Sequence, residues 1–189
     1  MHRHLLCALA VICLIFHGCA QGNIVRLSYP EPGSAVSSGT GKRVCVVDFD
    51  NKRDRSEIGQ RQSGESILGR TLVERWVAQG VAAELSHAGY AVSVVETLAE
   101  ALAAEPDYIV TGEVEEVWLA ESSLTRFTAT IRASVSLLNG RGGDITSNNY
   151  NCVFSTALLP AYGVPQTLLD EALFELLQPA AQLLTQTMH

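Results

Sequence analysis

Residues 126–138 alternate between apolar and polar side chains, and this pattern constrains the fold more than any other feature of the chain. An alternation with a period of two places every apolar side chain on one face of a β-strand. The turn-forming pair Asn139-Gly140 follows, so residues 145–158 are predicted to return as the antiparallel partner strand. The polar face of this hairpin is expected to meet water, and its apolar face is expected to need a covering layer. The apolar positions are Phe127, Ala129, Ile131, Ala133, Val135 and Leu137.

Helical periodicity marks the segments that can supply such a layer. From Ser66 onward, apolar residues recur at helical spacing until Gly89, a residue typical of the end of a helix. A second apolar stripe runs over residues 168–184, and Pro179 within it predicts a kinked or split helix. A short helix is predicted after Thr97, which forms a capping-box pattern with the glutamate three residues later.

The remaining apolar segments complete a prediction of the fold class. Residues 43–49, 90–95 and 107–119 are predicted strands, and the charged segment 50–65 is predicted to be a loop. The order of elements gives a β-α-β start, an antiparallel meander and a closing helix. We therefore expect a two-layer α+β domain with its helices on one face of the sheet.

The N-terminal residues indicate export. A weakly basic start containing Arg3 precedes Leu5–Phe16, an apolar run of 12 residues that is too short to span a bilayer. The run leads to Gly18-Cys19, which resembles a bacterial lipobox, in which the cysteine receives a diacylglycerol. Phe16 and His17 depart from the usual lipobox residues, so secretory cleavage near Ala20 and an uncleaved anchor helix are the alternatives.

These features predict three parts along the chain. Residues 1–18 are the expected signal peptide, residues 19–42 the lipidated N-terminus with a flexible tether, and residues 43–189 the periplasmic domain. The lipoprotein resemblance implies a durable lipid anchor on Cys19 and, because Ala20 rather than Asp follows it, sorting to the outer membrane. The membrane is thus the first predicted partner, through the N-terminal lipid.

The charge balance argues against some partners. The formal net charge is −7, and it becomes −8 without residues 1–18, which hold one of the 13 basic residues and none of the 20 acidic ones. Binding to nucleic acid needs a basic face, so we expect no nucleic-acid partner. The acidic balance also argues against simple electrostatic docking on anionic lipid.

The cysteines divide by position. Cys7 and Cys13 leave with the signal peptide, and Cys19 is the expected lipidation site. Cys45 and Cys152 remain, an even pair in a compartment that oxidises thiols. A disulfide between Cys45 and Cys152 and a pair of buried free thiols are both compatible with the sequence.

Residues that carry catalytic chemistry are scarce. Only His87 and His189 remain after processing, and no nucleophile signature or metal-ligand spacing accompanies them. Glu113 and Glu115 are expected to share a solvated strand face, with Glu116 on the other face. The sequence therefore predicts a protein that is not an enzyme, with no catalytic residue, no bound metal and no cofactor.

The charged segment after the first strand is the candidate partner-binding loop. Four basic side chains, Lys52, Arg53, Arg55 and Arg61, alternate there with four acidic ones. One interpretation is a solvated loop whose ion pairs contribute little. The other is a docking loop, in which guanidinium groups bind a phosphate, a carboxylate or a protein partner.

Several short motifs resemble the YajG family of bacterial lipoproteins. They are Gly18-Cys19, Val46-Val47-Asp48 continuing to Arg61, the helix end His87-Ala-Gly-Tyr90, and Asp107-Tyr-Ile-Val110 before a long hairpin and a C-terminal helix. The resemblance covers about residues 43–189 by element order, and it implies location and fold rather than chemistry.

Two functions agree with these observations. The first is a membrane-anchored, non-catalytic accessory or interaction protein of the cell envelope, with a protein, glycan or lipid partner. The alternative is a carrier of a lipid-like ligand or an auxiliary component of ABC-type transport, with an apolar groove between the C-terminal helix and the sheet. An exposed apolar groove would favour the carrier, and a fully packed stripe would favour the accessory role.

Overall fold

The computed structural model describes residues 23–29, 39–123, 125–157 and 164–188. The helices of this part are α1 (Val73–His87), α2 (Leu98–Ala103) and α3 (Val164–Thr187). Its strands are β1 (Ile24–Val25), β2 (Arg43–Val47), β3 (Asp50–Asn51), β4 (Gly59–Gln60), β5 (Ser66–Gly69), β6 (Ala91–Val95), β7 (Tyr108–Ser123), β8 (Arg126–Asn139) and β9 (Asp144–Ala157). A curled sheet with α3 packed on it confirms the predicted α+β class.

The long strand β7 organises the sheet. One edge of its 16 residues pairs with the antiparallel strand β8, to which β9 returns as predicted. Along the other edge, β2, β3 and β4 pair with β7 in succession, all parallel to it. β6 extends the sheet beyond β2, and β5 and β1 extend it beyond β4.

Helices cover both faces of the sheet, not one as expected. α1 and α3 pack on the face that holds the large apolar core, where Trp76, Leu119 and Ile131 are fully buried. α2 packs on the opposite face, where Ala101 joins a small cluster with Cys45, Val47, Ile109 and Leu138. Because β2 is buried on both faces, its sequence is apolar throughout rather than alternating.

The outward face of the β8–β9 hairpin carries hydroxyl groups that pair across the strands. The Thr128 and Ser155 hydroxyls lie 3.0 Å apart, and the Ser136 hydroxyl donates to that of Ser147 at 2.8 Å. These cross-strand pairs satisfy polar groups on a face that the helices α1 and α3 leave open.

The predicted C-terminal helix is one unbroken helix over residues 164–187, so of the kink or split predicted at Pro179 the split does not occur. A proline removes the hydrogen bond to the carbonyl four residues earlier, which here belongs to Glu175. Both residues are exposed, so water can satisfy the freed carbonyl group.

Three other expectations about local structure need correction. Segment 50–65 is not a simple loop, because β3 and β4 supply partners for the edge of β7. The first helix begins at Val73 rather than near Ser66, since residues 66–69 form β5 with Ile67 fully buried. A β-bulge between Val114 and Glu116 shifts the alternation, so Glu116, expected on the other face, lies opposite Arg132 on the outward face.

The N-terminal segment 23–29 belongs to the domain, although the sequence placed it in the flexible tether. Val25 and Leu27 are buried in the core, and Val25 accepts a hydrogen bond from the backbone of Arg70 at 2.8 Å. The Tyr29 hydroxyl donates to Glu84 of α1 at 2.7 Å. Burial, and then that hydrogen bond, raises the pKa of Tyr29. The sequence misplaced this segment because one short apolar alternation beside prolines and glycines resembles a linker.

The two cysteines of the domain are free thiols, and no bridge joins them. Cys45 is buried on the side of the sheet that α2 covers, whereas Cys152 lies on the side of the large core. β7 and β8 separate their strands, which places the two thiols beyond the reach of a disulfide. The free-thiol alternative therefore describes the structure.

Asp170, on α3, is half-buried beside the large core, and its Oδ1 atom is shielded from solvent. Burial raises its pKa from the ordinary 3.8 to about 7, and hydrogen-bond interactions with Gln166 and Trp76 only partly oppose the rise. Oδ1 of Asp170 and the Trp76 indole nitrogen lack a partner at ideal hydrogen-bond geometry among the described residues, so these interactions are weak. The folded state therefore holds a proton on Asp170 more tightly than the unfolded chain does.

This shift predicts a pH-dependent stability that Asp170→Asn removes. Because the folded pKa is the higher one, the stabilisation from proton binding is complete below about pH 4 and is lost as the pH rises through 7. We therefore subtract the free energy of unfolding of wild type from that of Asp170→Asn at each pH. This difference should be about 1–3 kcal/mol larger at pH 8 than at pH 4. Urea titrations at a series of pH values measure this difference.

Glu171→Gln is the matched control, since Glu171 is the exposed neighbour of Asp170 on the same helix. Its difference from wild type should not grow between pH 4 and pH 8. Equal pH profiles for wild type and Asp170→Asn would contradict the prediction.

Candidate partner-binding surface

The charged segment that the sequence singled out is fastened to the edge of β7. The Lys52 amide donates to the Val114 carbonyl at 2.9 Å, and the Leu119 amide donates to the Ile58 carbonyl at 2.8 Å. Ile58 is buried, and an added Cβ at Gly59 would lie 2.2 Å from the Leu119 carbonyl oxygen. Only residues 53–57 therefore project from the sheet, held between two attachment points.

Two of the four predicted basic residues lie away from this projection. Lys52 forms ion pairs with Asp50 at 3.4 Å and Glu113 at 3.7 Å, and it is about half exposed. Arg61 lies beyond β4, where it pairs with Glu121 at 3.4 Å. These two side chains stabilise the edge of the sheet and do not join the other basic groups.

Arg53 holds the shape of the projecting segment. Its Nε donates to the side-chain oxygen of Asn51 at 3.0 Å, and its guanidinium donates to the Glu57 carbonyl at 3.2 Å. Burial lowers the pKa of Arg53, and the nearby Glu74 carboxylate opposes that shift. The side chain therefore closes the 53–57 turn from within.

Arg55 and Trp118 form the most distinctive contact of the surface. The Arg55 guanidinium lies 4.6 Å from the centre of the Trp118 ring, on the outward face of β7. On the neighbouring strand, Arg132 forms an ion pair with Glu116 at 2.9 Å. An arginine stacked on an indole keeps its donors free at its edge, where they can bind a carboxylate or another acceptor.

These side chains enclose a shallow cleft of about 130 Å³ between segment 53–57 and the outward face of the sheet. We call it the Trp118 cleft. Its walls carry both signs of charge around one aromatic face, a combination that suits a polar partner with its own carboxylates and donors. The residues that line it are Arg53, Asp54, Arg55, Glu57, Glu115, Glu116, Val117, Trp118 and Arg132.

The sequence identified Arg53 and Arg55 of this cleft but missed Trp118 and Arg132. Trp118 could have been identified from its position between Val117 and Leu119. Both of these residues face the core, so the strand residue between them points outward. The link between Arg132 and this segment could not be inferred, because it depends on the β-bulge in β7 that sets Glu116 opposite Arg132.

A second charged cluster ties α1 to the ends of two parallel strands. Arg75 donates to Asp48, after β2, at 2.7 Å and to Glu96, after β6, at 3.0 Å. The hydrogen bond to Asp48 is the main cause of a raised pKa for Arg75. Its position at a strand–helix junction gives this cluster a structural role.

The described residues contain neither a group of metal ligands nor a helix that could span a membrane. In residues 23–29, 39–123, 125–157 and 164–188, no three His, Cys, Asp or Glu side chains are grouped so that they could bind one metal ion. No helix in this same part of the chain combines the length and the apolar character that crossing a membrane requires. Cys19, the predicted lipidation site, lies outside the described residues.

Comparison with known proteins relates the chain to solved structures. Neither the protein-family models nor the curated protein sequences match it. The structure of XCC0632 from Xanthomonas campestris, of the family DUF330, has a TM-score of 0.62 at 14% identity, over 87% of this chain and 95% of that protein. PelC from Paraburkholderia phytofirmans, a dodecamer, has a TM-score of 0.51 at 14% identity, over 80% and 93%.

A lipoprotein is among the more distant structural neighbours. GNA1162 from Neisseria meningitidis has a TM-score of 0.45 at 15% identity, over 75% of this chain and 99% of that protein. This likeness is too weak to support an inference. The similarities to XCC0632 and PelC show a shared fold.

Removing the Arg55 side chain should expose the ring of Trp118. The chain has two tryptophans, and Trp76 is fully buried, so acrylamide quenching of fluorescence reports mainly on Trp118. We expect stronger quenching in Arg55→Ala, with a loss of about 0.5–1 kcal/mol in the free energy of unfolding. Arg141→Ala, at an exposed turn, is the control, and equal quenching in the two variants would refute the contact.

Proposed function

We propose that this chain is a lipid-anchored protein of the bacterial envelope that acts by binding a partner and not by catalysis. Export and lipidation at Cys19 are supported by the apolar run that ends in Gly18-Cys19. In this proposal the domain lies on the periplasmic face of the outer membrane, which Ala20 favours by analogy with other lipoproteins. Kinship with YajG-like lipoproteins is part of the same proposal.

One observation carries the proposal: the packed residues of the described domain come after the lipobox cysteine, with Val25 buried six positions beyond Cys19. This spacing is compatible with a lipoprotein, since cleavage before Cys19 would leave β1 and its contacts intact. An uncleaved anchor helix would also tether the domain to a membrane, and the mass of the mature chain distinguishes it from a lipid anchor.

The packing of α3 favours the accessory role over the carrier. A carrier of the kind considered would need an apolar groove between this helix and the sheet. The stripe is instead closed within the core, with Leu168, Leu169, Ala172, Leu173, Leu176, Leu177, Ala180 and Leu184 all buried. Among the apolar side chains described on α3, Phe174 is the strongly exposed one.

The Trp118 cleft is the surface that we propose for the partner. Aromatic and arginine side chains are the residue types that most often contribute binding energy at interfaces. Here Arg53 and β4 hold the arginine and the tryptophan in place, so little conformational freedom is lost on binding. An envelope protein or glycan with exposed carboxylates would meet Arg55 and Arg132.

The anchor is tested by the intact mass of the membrane-extracted protein, expressed with its own signal. Wild type should begin at Cys19 and be heavier by a diacylglycerol and an acyl group, and Cys19→Ser should lack both. An unmodified wild-type chain would refute the anchor. Its N-terminus would then reveal either secretory cleavage or an uncleaved helix.

The partner surface is tested by photo-crosslinking in intact cells. A photo-reactive residue in place of Asp54, which is exposed and lines the cleft beside Arg55, should yield one discrete adduct, and Trp118→Ala in the same chain should weaken it. The same residue in place of Arg141, at the far turn of the β8–β9 hairpin, is the control. The proposal fails if position 54 yields no adduct or the same adducts as position 141, and an adduct of twice the monomer mass identifies a second copy as the partner.

A further inference from the structure

An exposed surface with both apolar and basic side chains lies at the N-terminal edge of the sheet. Ile24 of β1 and Leu68 of β5 are register partners, and they are 58% and 44% exposed. Burial alternates along both segments, so the side chains two residues further on, Arg26 and Arg70, point outward on the same face. We call this set of four side chains the β1–β5 face.

The two arginines of the β1–β5 face lack a charged partner among the described residues. In the part of the chain that the structure describes, no carboxylate lies within ion-pair distance of Arg26 or Arg70. This is notable in a chain with a net charge of −7, whose other acidic and basic groups often pair. The face is therefore a local basic and apolar surface on an acidic protein.

Its position places it beside the proposed lipid. Asn23 is the fourth residue after Cys19, and an extended chain of four residues spans at most about 14 Å. Ile24 is the next residue, so this part of the β1–β5 face lies within roughly 18 Å of the lipid-bearing residue. The turn at Asn139 lies at the opposite end of β8, a strand of 14 residues that extends about 45 Å.

We propose that the β1–β5 face contacts the surface of an anionic lipid bilayer and so orients the domain on its membrane. The side chains of Ile24 and Leu68 enter the headgroup region, and Arg26 and Arg70 bind lipid phosphates. A single basic residue near an anionic surface strengthens partitioning by about fivefold. The distance argument rests on the proposed anchor, whereas the exposure and charge of the face are independent of it.

The test uses the chain from Ala20 to His189, which contains every described residue and lacks the lipid. In flotation with phosphatidylglycerol–phosphatidylcholine vesicles at millimolar lipid, a fraction of the protein should float with the vesicles. Added salt should reduce that fraction. Ile24→Ser/Leu68→Ser and Arg26→Gln/Arg70→Gln should each weaken partitioning by about tenfold or more. All four positions are exposed, so circular dichroism should show an unchanged fold.

Leu98→Ser/Leu102→Ser is the matched control, because these leucines are also exposed but lie on α2, near the far turn of the hairpin. It should bind vesicles as wild type does. No binding to anionic vesicles, or equal binding by all variants, overturns the proposal. The proposal is also overturned if the chain forms a dimer and Ile24→Ser/Leu68→Ser dissociates it, because the face would then bind a second copy. The intact mass of the membrane-extracted protein tests the anchor at Cys19 separately.

Discussion

The pairing of β7 along both of its edges is the constraint on which the rest of the structure depends. It pairs with β8 along one edge, and three short parallel segments pair with the backbone groups that point to its other edge. Unpaired amide and carbonyl groups at a buried edge cost more than the ordering of a short segment. That requirement draws the charged segment 50–60 against the sheet.

The projection that forms the Trp118 cleft is a consequence of this arrangement. β3 and β4 are both held by β7, but residues 53–57 between them are more than the gap requires. These extra residues project from the sheet, and the hydrogen bond from Arg53 to the Glu57 carbonyl closes their turn. Arg55 then lies over the outward ring of Trp118. A partner surface on such a segment is rigid, because its two ends are fixed by strand pairing.

The packing of segment 23–29 against the domain affects how the domain can be oriented on a membrane. A long tether would let the domain turn freely above a membrane, whereas the proposed anchor precedes the first packed residue by four positions. The contacts of Val25 and Leu27 with the core fix the direction in which the chain leaves the domain. The Trp118 cleft and the β1–β5 face have no residue in common.

The sequence by itself determined the elements whose periodicity is long and unbroken. The β8–β9 hairpin, the α1 stripe beyond Val73 and the α3 stripe follow from local spacing, because each has one face that must leave water. The lipobox pattern at Cys19 and the two arginines at positions 53 and 55 were likewise visible without coordinates. Tertiary structure decided what depends on contacts between distant residues: β1 in the core, the strands β3, β4 and β5, α2 on the opposite face, and Trp118 with Arg132 in the cleft. Segments of two to four residues have no period to detect, and only the strand edges and core positions that they fill give them a structure.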